Sequence, residues 1–452
     1  MRSLHSLDRV SVTFDDEHAV AAAGLLLTGT LAQHLGLETI IDDCVDLGDR
    51  PGAYRPGRKA MSLIHTMIVG GDCIDDADIL RTGSTGMVVG HQVMAPSTLG
   101  TFLRSFTFGN VRQLDRASEQ ALSAAWSAGA GPGDNELMID IDSSICEVYG
   151  YQKQGAAYGY THVAGYHPML AFGADSGEVL HCRQRKGSAH TARGAQRFCR
   201  ETFGRVRRAG ATGPIVLRAD SGYWSGKVIK ACGDHDVRYS ITVKQTGPVR
   251  RAIDTINADS WTLIRHPDPE HEVLHPNGSD HVDDNKGAVG QAAWVTETLL
   301  DDRRLIVRRT LDAPTETTLF DTWRYHAFIT DRAGTAIELD IDHRRHAVVE
   351  LAIRDLKQGA GMNHNPSGRF AANSAWLILN TVAHNLNRWT NRLGFDQHGP
   401  IVTKTFRRRY LNIPGRLTRS ARRQTLHLPA RWPWATPWAD ALVRLRAINM
   451  LC

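Results

Sequence analysis

The chain has 452 residues, of which 42% are hydrophobic and 22% are charged, with a net charge of +5 and a pI near 8.8. This length is enough for two or three domains, and the composition is that of an ordinary globular protein. The seven cysteines form no CxxC pair, which favours a reducing, cytoplasmic compartment. The most apolar early run, 19–37, is interrupted by polar residues, so we expect a buried helix and no membrane partner.

Short helices are predicted throughout residues 1–130. Apolar residues recur at helical spacing in 25–37 and 59–69, and Pro96-Ser97-Thr98 opens a further helix whose outer side carries Arg104. Such helices suit a helix-turn-helix-like DNA reader or a plain helical bundle, and this segment alone favours the bundle. The Gly-rich run 129–133 then predicts a linker, and it lacks the Gly-Lys-Ser/Thr ending of a phosphate loop.

The periodicity changes after this linker. Residues 137–142 alternate apolar and acidic side chains, which predicts a strand with Asp140 and Asp142 on one face. A hairpin, an Arg-rich helix over 191–208 and a buried strand ending at Asp220 are predicted next, followed by a helix and another strand. Taken alone, each aspartate is more often a strand-end turn former than a functional residue.

A third carboxylate lies in the segment HRRHAVVELAIRDLK, residues 343–357. His343, His346, Glu350 and Lys357 are separated by three, four and seven residues, which predicts that they share one side of a helix. If the two predicted strands are neighbours and this helix packs beside them, Asp142, Asp220 and Glu350 converge. Carboxylates are ligands for Mg²⁺ or Mn²⁺, and two such ions about 3.5–4 Å apart support phosphoryl displacement.

Two further regions are distinctive. Residues 251–334 contain alternating runs that predict a β-rich insertion, in which Trp261, Trp294 and Trp323 are either core residues or platforms for an extruded base. The C-terminal part starts with a helix over 373–393 and then turns basic. Aromatic and apolar residues are interleaved with these basic residues, which favours a folded phosphate-binding surface; the candidate contacts are Lys404, Arg407, Arg408 and Arg409.

These motifs together resemble the DDE transposases of bacterial insertion sequences, and the thirteen-eighty insertion-sequence family in particular. The resemblance rests on the GGDCIDD motif at 70–76, IDIDSS at 139–144, LRADSGYW at 217–224, the Glu350 helix and AHNLNRW at 383–389. It implies a multidomain α/β protein with a ribonuclease-H-like mixed sheet flanked by helices. The implied parts are a helical DNA-binding domain (1–130), a catalytic domain (134–250 and 335–395), a β-rich insertion (251–334) and a basic helical C-terminal DNA-binding region (396–452).

The resemblance also implies roles for individual residues. Asp142 would be the first metal ligand, with Asp140 as the alternative, and Asp220 and Glu350 would complete a site for two Mg²⁺ ions, which Mn²⁺ can replace. Lys357 would contact the DNA backbone. His343 and His346 stand where the family pattern has Tyr and Arg, so a phosphate contact by His346 depends on its protonation.

The implied activity is cleavage and joining of double-stranded DNA, at transposon ends and in target DNA, by a homodimer in the bacterial cytoplasm at the nucleoid. No small-molecule substrate is expected. Two alternatives stay open from the sequence: a metal-dependent nuclease without strand transfer, and a catalytically decayed DNA-binding protein in which the histidine replacements mark the decay.

Overall fold

The computed structural model describes residues 10–150, 152–159, 162–266, 291–311, 323–397, 399 and 401–450. Its N-terminal part is helical, as the sequence predicts. In the longest apolar helix of this part, Pro56 occupies the first turn, where its missing N–H costs nothing, and Gly70 (φ 109°) ends the helix in the left-handed conformation. The elements are β1 (Ala19–Val20), α1 (Leu25–His34), α2 (Leu37–Cys44), α3 (Pro56–Val69), α4 (Thr85–Val88), α5 (Pro96–Arg104) and α6 (Phe108–Ala125).

A nine-stranded mixed sheet forms the middle of the chain. Its strands, with a small three-stranded sheet of β3, β5 and β4 beside them, are β2 (Leu137–Ser143), β3 (Cys146–Glu147), β4 (Ala157–Tyr158), β5 (Ala164–Tyr166), β6 (Met169–Gly173), β7 (Val179–Arg183), β8 (Ile215–Ala219), β9 (Val237–Thr242), β10 (Thr262–His266), β11 (Gln291–Leu300), β12 (Arg303–Leu311) and β13 (Trp323–Thr330).

The strand order is β10-β11-β12-β13-β9-β8-β2-β6-β7. Strands β2, β8 and β9 are parallel neighbours, whereas β6 and β7 are added antiparallel on one side and β13 to β10 antiparallel on the other. The strands predicted for the insertion therefore continue the same sheet as the strands that carry the two aspartates. Residues 267–290 and 312–322 of that predicted insertion lie outside the described residues.

Helices pack around this sheet, and between residues 137 and 244 they occur where the sequence predicts them. The segment 137–244 confirms the predicted sequence of strand, hairpin, helix, strand, helix and strand. The helices that follow β7 are α7 (Ala195–Ala209), α8 (Gly226–Asp234), α9 (Gly247–Asp254), α10 (Ala336–Arg344), α11 (Val348–Gly359) and α12 (Phe370–Phe395). Helix α12 is buried along most of its length and contacts α3, α6 and β7, so it joins the N-terminal helices to the sheet.

The segment 343–357 is not one regular helix, and that prediction was wrong. Helix α10 ends at Arg344, residues Arg345–Ala347 form a 3₁₀ turn, and α11 begins at Val348. The tighter turn interrupts the regular helical spacing, so His343 and Glu350 belong to different helices. Within α11 the apolar spacing holds, because Val349, Ile353 and Leu356 are buried.

The basic C-terminal part contains a β-hairpin as well as helices, which corrects the prediction of a helical region. Its elements are α13 (Thr403–Phe406), β14 (Gly415–Ser420), β15 (Arg423–His427) and α14 (Ala435–Ala447). Strand β14 pairs with β1, so the two ends of the chain share a three-stranded sheet. One continuous hydrophobic core runs from Ala22 to Leu445. Among the described residues, no helix combines the length and apolar character needed to cross a membrane.

Candidate active site

Two aspartates leave the sheet side by side. Ile141 of β2 pairs with Ala219 of the parallel strand β8. Asp142 follows Ile141 and Asp220 follows Ala219, so both aspartates lie at the same edge of the sheet, where these strands end. The backbone N–H of Ser143 donates to Asp142 Oδ1 at 2.6 Å. Asp220 Oδ1 accepts from the Gly222 N–H at 3.0 Å and caps the 3₁₀ turn that follows. The predicted convergence of these two aspartates is therefore present in the fold.

Glu350 completes a group of three carboxylates. It is exposed in the first turn of α11, which contacts β2, while Val349 beside it is buried. Burial, together with the negative charges of Asp220 and Glu350, raises the pKa of Asp142 to about 6, and the Ser143 N–H and His346 oppose this rise. Both carboxylates are thus close enough to Asp142 to disfavour its charged form.

The group fits a divalent cation. Among the described residues, none of the three carboxylates forms an ion pair with Lys, Arg or His. Three carboxylates without an ion pair at one edge of a sheet are costly without a cation, and oxygen ligands of this kind suit Mg²⁺ or Mn²⁺. The carboxylate oxygens of Asp142, Asp220 and Glu350 do not all lie within 4.8 Å of one another. Among the described residues, only the ligand atoms of Asp72, Cys73 and Asp76 lie that close together. A pair of ions about 3.5–4 Å apart spreads its ligands more widely than a single ion does.

Asp140 has a different role from Asp142. Its carboxylate accepts two hydrogen bonds from Arg218, each at 2.8 Å, and one from His346 Nδ1 at 2.9 Å. Burial alone would raise the pKa of Asp140, but His346 and Arg218 outweigh burial and hold that pKa below its usual value. Asp140 is therefore a buried strand residue paired with an arginine of the neighbouring strand.

His346 lies between this buried pair and the carboxylate site. Burial alone would lower its pKa, but Asp140, through its charge and its hydrogen bond, outweighs burial and raises it. The imidazole therefore favours the protonated, positively charged form, and Asp142 adds to this effect. The raised pKa of His346 thus favours a positive charge beside Asp142.

His343 packs into the sheet. Its ring stacks on Phe328 with centroids 4.0 Å apart, and its two ring nitrogens lie 2.8 Å from Ser240 Oγ and 2.9 Å from Thr242 Oγ1. Burial, together with the positive charge of His346, lowers the pKa of His343 well below its usual value. A neutral histidine with both nitrogens engaged and a stacked ring is a structural residue that holds α10 against β9 and β13.

The comparison with known families agrees with this geometry. A family model described as transposase DDE domain group 1 matches residues 3–450, which is nearly the whole chain. The chain belongs to this family of DDE transposases. The predicted enzyme class is thereby confirmed, and DDE transposases use divalent metal ions, in keeping with the three carboxylates described above.

One similar solved structure is the piggyBac transposase synaptic complex with hairpin DNA, determined by electron cryo-microscopy. It is 10% identical in sequence, the match covers 85% of this chain and 78% of that chain, and the TM-score is 0.41. Comparison with curated proteins found no match. The transposase fold described here is a mixed α/β fold built on a large mixed sheet.

The predicted DNA-binding residues of the transposase fall into two groups. Arg104, Lys404 and Arg408 are exposed, whereas Lys357 donates to the Ile145 carbonyl at 2.9 Å and ties α11 to the loop after β2. The guanidinium of Arg407 is partly buried and donates to the carbonyls of Ile68, Met67 and Gly359. Arg409 is partly buried and lies over the Trp434 ring. Arg104, Lys404 and Arg408 therefore keep their charge available to a phosphate, whereas the guanidinium of Arg407 is engaged by backbone carbonyls.

The three tryptophans of the strand-rich part surround an arginine. Arg309 lies 4.2 Å from the ring centroids of both Trp261 and Trp323 and 5.8 Å from that of Trp294. All three rings are partly buried. A guanidinium over an aromatic face is a favourable pairing, so Arg309 already occupies part of the ring surface that a base would need.

Sequence reasoning did not single out Arg218. The signal was present in LRAD at 217–220: Arg218 is a charged residue inside a five-residue strand that is buried along its whole length, and a buried charge needs a partner. Only the strand register, which pairs Asp140 with Arg218, identifies that partner.

Proposed function

We propose that this transposase binds the terminal inverted repeats of a bacterial insertion sequence of the thirteen-eighty family, and that it cleaves and joins DNA by a cut-and-paste mechanism. The observation that carries the proposal is the position of Asp142 and Asp220 at one sheet edge, with Glu350 close enough to raise the pKa of Asp142. The order β7-β6-β2-β8-β9, in which β6 is antiparallel to both β2 and β7 while β8 and β9 are parallel to β2, supports a ribonuclease-H-like catalytic core.

In this proposal Asp142, Asp220 and Glu350 are the catalytic residues and would hold two Mg²⁺ ions, which Mn²⁺ can replace. The bound cations would activate the attacking water or 3′-hydroxyl and stabilise the leaving oxygen. The chain itself fixes the position of each carboxylate: the Ser143 and Gly222 N–H groups orient the two aspartates, and α11 carries Glu350. The Asp140–Arg218 pair orients His346, whose positive charge lies beside Asp142 and suits a DNA phosphate.

The DNA is held by positive charge on several elements. Arg104, Lys404 and Arg408 are exposed and suit phosphate contacts. Lys357 has one N–H engaged by the Ile145 carbonyl and keeps two more donors for the backbone near the cleaved bond. Because cleavage of two transposon ends must be coordinated, we propose a homodimer on the DNA.

The two alternatives from the sequence make different predictions. The decayed, DNA-binding version rested on the replacement of Tyr and Arg by His343 and His346. Both histidines have defined partners, Ser240 and Thr242 for His343 and Asp140 for His346, so each has a reason to be present that does not depend on decay. A nuclease without strand transfer would use the same carboxylates and release nicked DNA without joined products.

The test is a cleavage and strand-transfer assay on a labelled duplex that carries the end of the encoding element, with Mg²⁺, Mn²⁺ or EDTA. Asp220→Ala and Glu350→Gln should abolish cleavage and leave binding to the end largely intact. Asp43→Asn, which neutralises an exposed carboxylate of α2, is the matched control and should cleave like the wild type. Tight end binding with no cleavage in either metal would reject the catalytic proposal, and nicking without joined products would favour the nuclease.

A further inference from the structure

A pocket opens beside the edge strand β7, at the junction of α6, α7 and the start of α12. Its volume is about 230 Å³. Phe108, Val111, Phe370 and Ile378 supply apolar lining. An apolar cavity of ~150 Å³ is large enough to hold benzene, so this pocket can accept one planar ring system.

One part of the pocket lining, the arginine wall, is positively charged. Arg112, Arg183 and Arg197 line it, and all three pair with the single carboxylate of Glu201. Arg112 also reaches Asp115 at 3.1 Å. Three guanidinium groups thus share carboxylates that cannot neutralise all of them.

The buried groups behind this wall do not remove the excess charge. Asp115 is held by the buried Arg205 at 2.6 Å, and Glu119, near Arg205, is matched by Arg208. His181 is neutral at physiological pH, because burial and then the charge of Arg205 lower its pKa to about 4. Counting Arg205 and Arg208 with the three wall arginines gives five cations against three carboxylates, so the pocket keeps an excess of two positive charges.

An exposed aromatic ring and two more cations lie near the opening. Phe108, the first residue of α6, is 76% exposed although it lines the pocket. Arg104 and Arg369 are both exposed, and Arg369 Nη1 donates to the Arg104 carbonyl at 2.7 Å, so the Arg369 guanidinium lies against the backbone of Arg104. Arg369 immediately precedes Phe370 of the pocket lining. Apolar rings with surrounding guanidinium groups match a planar base with its phosphates.

The sheet register places this pocket near the carboxylate site. Asp142 pairs with Leu170 of β6, and Leu170 pairs with Cys182 of β7, which lines the pocket. Two strand spacings separate Asp142 from Cys182, which is about 10 Å between backbones. At about 3.4 Å of axial rise per nucleotide, this distance corresponds to roughly three nucleotides along one DNA strand.

We propose that this pocket binds an unpaired nucleotide of the DNA strand that passes the carboxylate site, with the base stacked on Phe108 and Phe370 and the phosphates held by the arginine wall. The proposal rests on the proposed function, because it takes DNA as the substrate. Stacking on a ring does not select one base over another, so the pocket recognises an unpaired nucleotide rather than a sequence. It would hold a frayed or single-stranded segment a few nucleotides from the reacting phosphate.

The test compares binding of the full chain to a blunt labelled duplex and to the same duplex with a short single-stranded 3′ tail. The tail should increase the affinity of the wild type. Phe108→Ala should lower the affinity for the tailed duplex by about 10- to 100-fold and leave the blunt duplex unaffected, since a stacked base loses its platform. Arg197→Gln should reduce the salt dependence of tailed-duplex binding by about one charge.

Phe14→Ala is the matched control, because Phe14 is fully exposed but is followed by Asp15, Asp16 and Glu17. It should bind both duplexes like the wild type. The proposal is overturned if the tail gives no gain in affinity, or if Phe108→Ala keeps that gain. Either result, obtained with blunt-duplex binding and metal-dependent cleavage intact, rejects the pocket alone. Failure to bind or cleave any DNA would reject the proposed function as well. Because Phe108 is exposed, unchanged thermal unfolding of Phe108→Ala checks that the fold is intact.

Discussion

Replacing either partner of the buried Asp140–Arg218 pair should destabilise the protein more than replacing both. The two side chains are 2% and 3% exposed and share two hydrogen bonds of 2.8 Å. Removing one partner of a buried pair costs about 3–5 kcal/mol, because the remaining charge stays buried without compensation. We expect the lower end of this range for Arg218→Met, since His346 still bonds to Asp140.

For Asp140→Leu we expect about 4 kcal/mol, near the middle of that range. Arg218 keeps the Asp342 carbonyl at 2.6 Å, but it loses its closest carboxylate, and His346 loses the group that raises its pKa. The double variant Asp140→Leu/Arg218→Met buries apolar groups in place of the pair, which is often nearly neutral. Its cost should be smaller than that of either single variant, which implies a coupling free energy of several kcal/mol between the two positions.

The assay is urea unfolding of the four proteins in EDTA, followed by tryptophan fluorescence and by circular dichroism. Asp142→Asn is the control, because Asp142 forms no ion pair among the described residues and burial disfavours its charged form, so its replacement should not destabilise the protein. Additive costs in the double variant, or single-variant costs below about 1 kcal/mol, would refute the view that Asp140 and Arg218 form one buried unit.

Three other outcomes are expected. In EDTA, wild-type stability should fall by up to about 3 kcal/mol as the pH rises from 4 to 6. The reason is that burial and the neighbouring carboxylates raise the folded-state pKa of Asp142 from 3.8 to about 6, so that the native state binds more protons in this window. Asp142→Asn should lack this fall in pH-dependent unfolding curves. Arg407→Met should lower the free energy of unfolding in urea by about 2–4 kcal/mol, because buried carbonyls lose a charged donor. Arg408 is exposed, so Arg408→Met should leave stability unchanged and lower the salt slope of DNA binding by about one. Equal stability of these two variants would contradict the distinction. Arg309→Gln should cost about 1–2 kcal/mol and change the tryptophan emission, because the guanidinium leaves the faces of Trp261 and Trp323; unchanged emission would count against that contact.

The positions of the carboxylates were predictable because they follow from local patterns. The alternation in 137–142 and the buried run before Asp220 identify two strand ends, and the spacing of Val349, Ile353 and Leu356 identifies the helix that carries Glu350. The roles of the neighbouring residues were not predictable in this way. Asp140 and Asp142 are two residues apart on one strand face, and the alternating pattern assigns neither to a metal or to an ion pair; only the family resemblance favours Asp142 as the ligand.

The sequence by itself determined the order of strands and helices from 137 to 244, the acidic residues that end two of those strands, and the family motifs, because each depends on residues close together in the chain. Only the tertiary structure decided which strands are neighbours, and with them the pairing of Asp140 with Arg218 78 residues away. It also placed His343 against Phe328, and it brought Arg407 within hydrogen-bond distance of backbone carbonyls more than 300 residues away in the chain. A side chain's charge is encoded locally, but whether that charge meets a partner, a cation or solvent depends on contacts between distant segments.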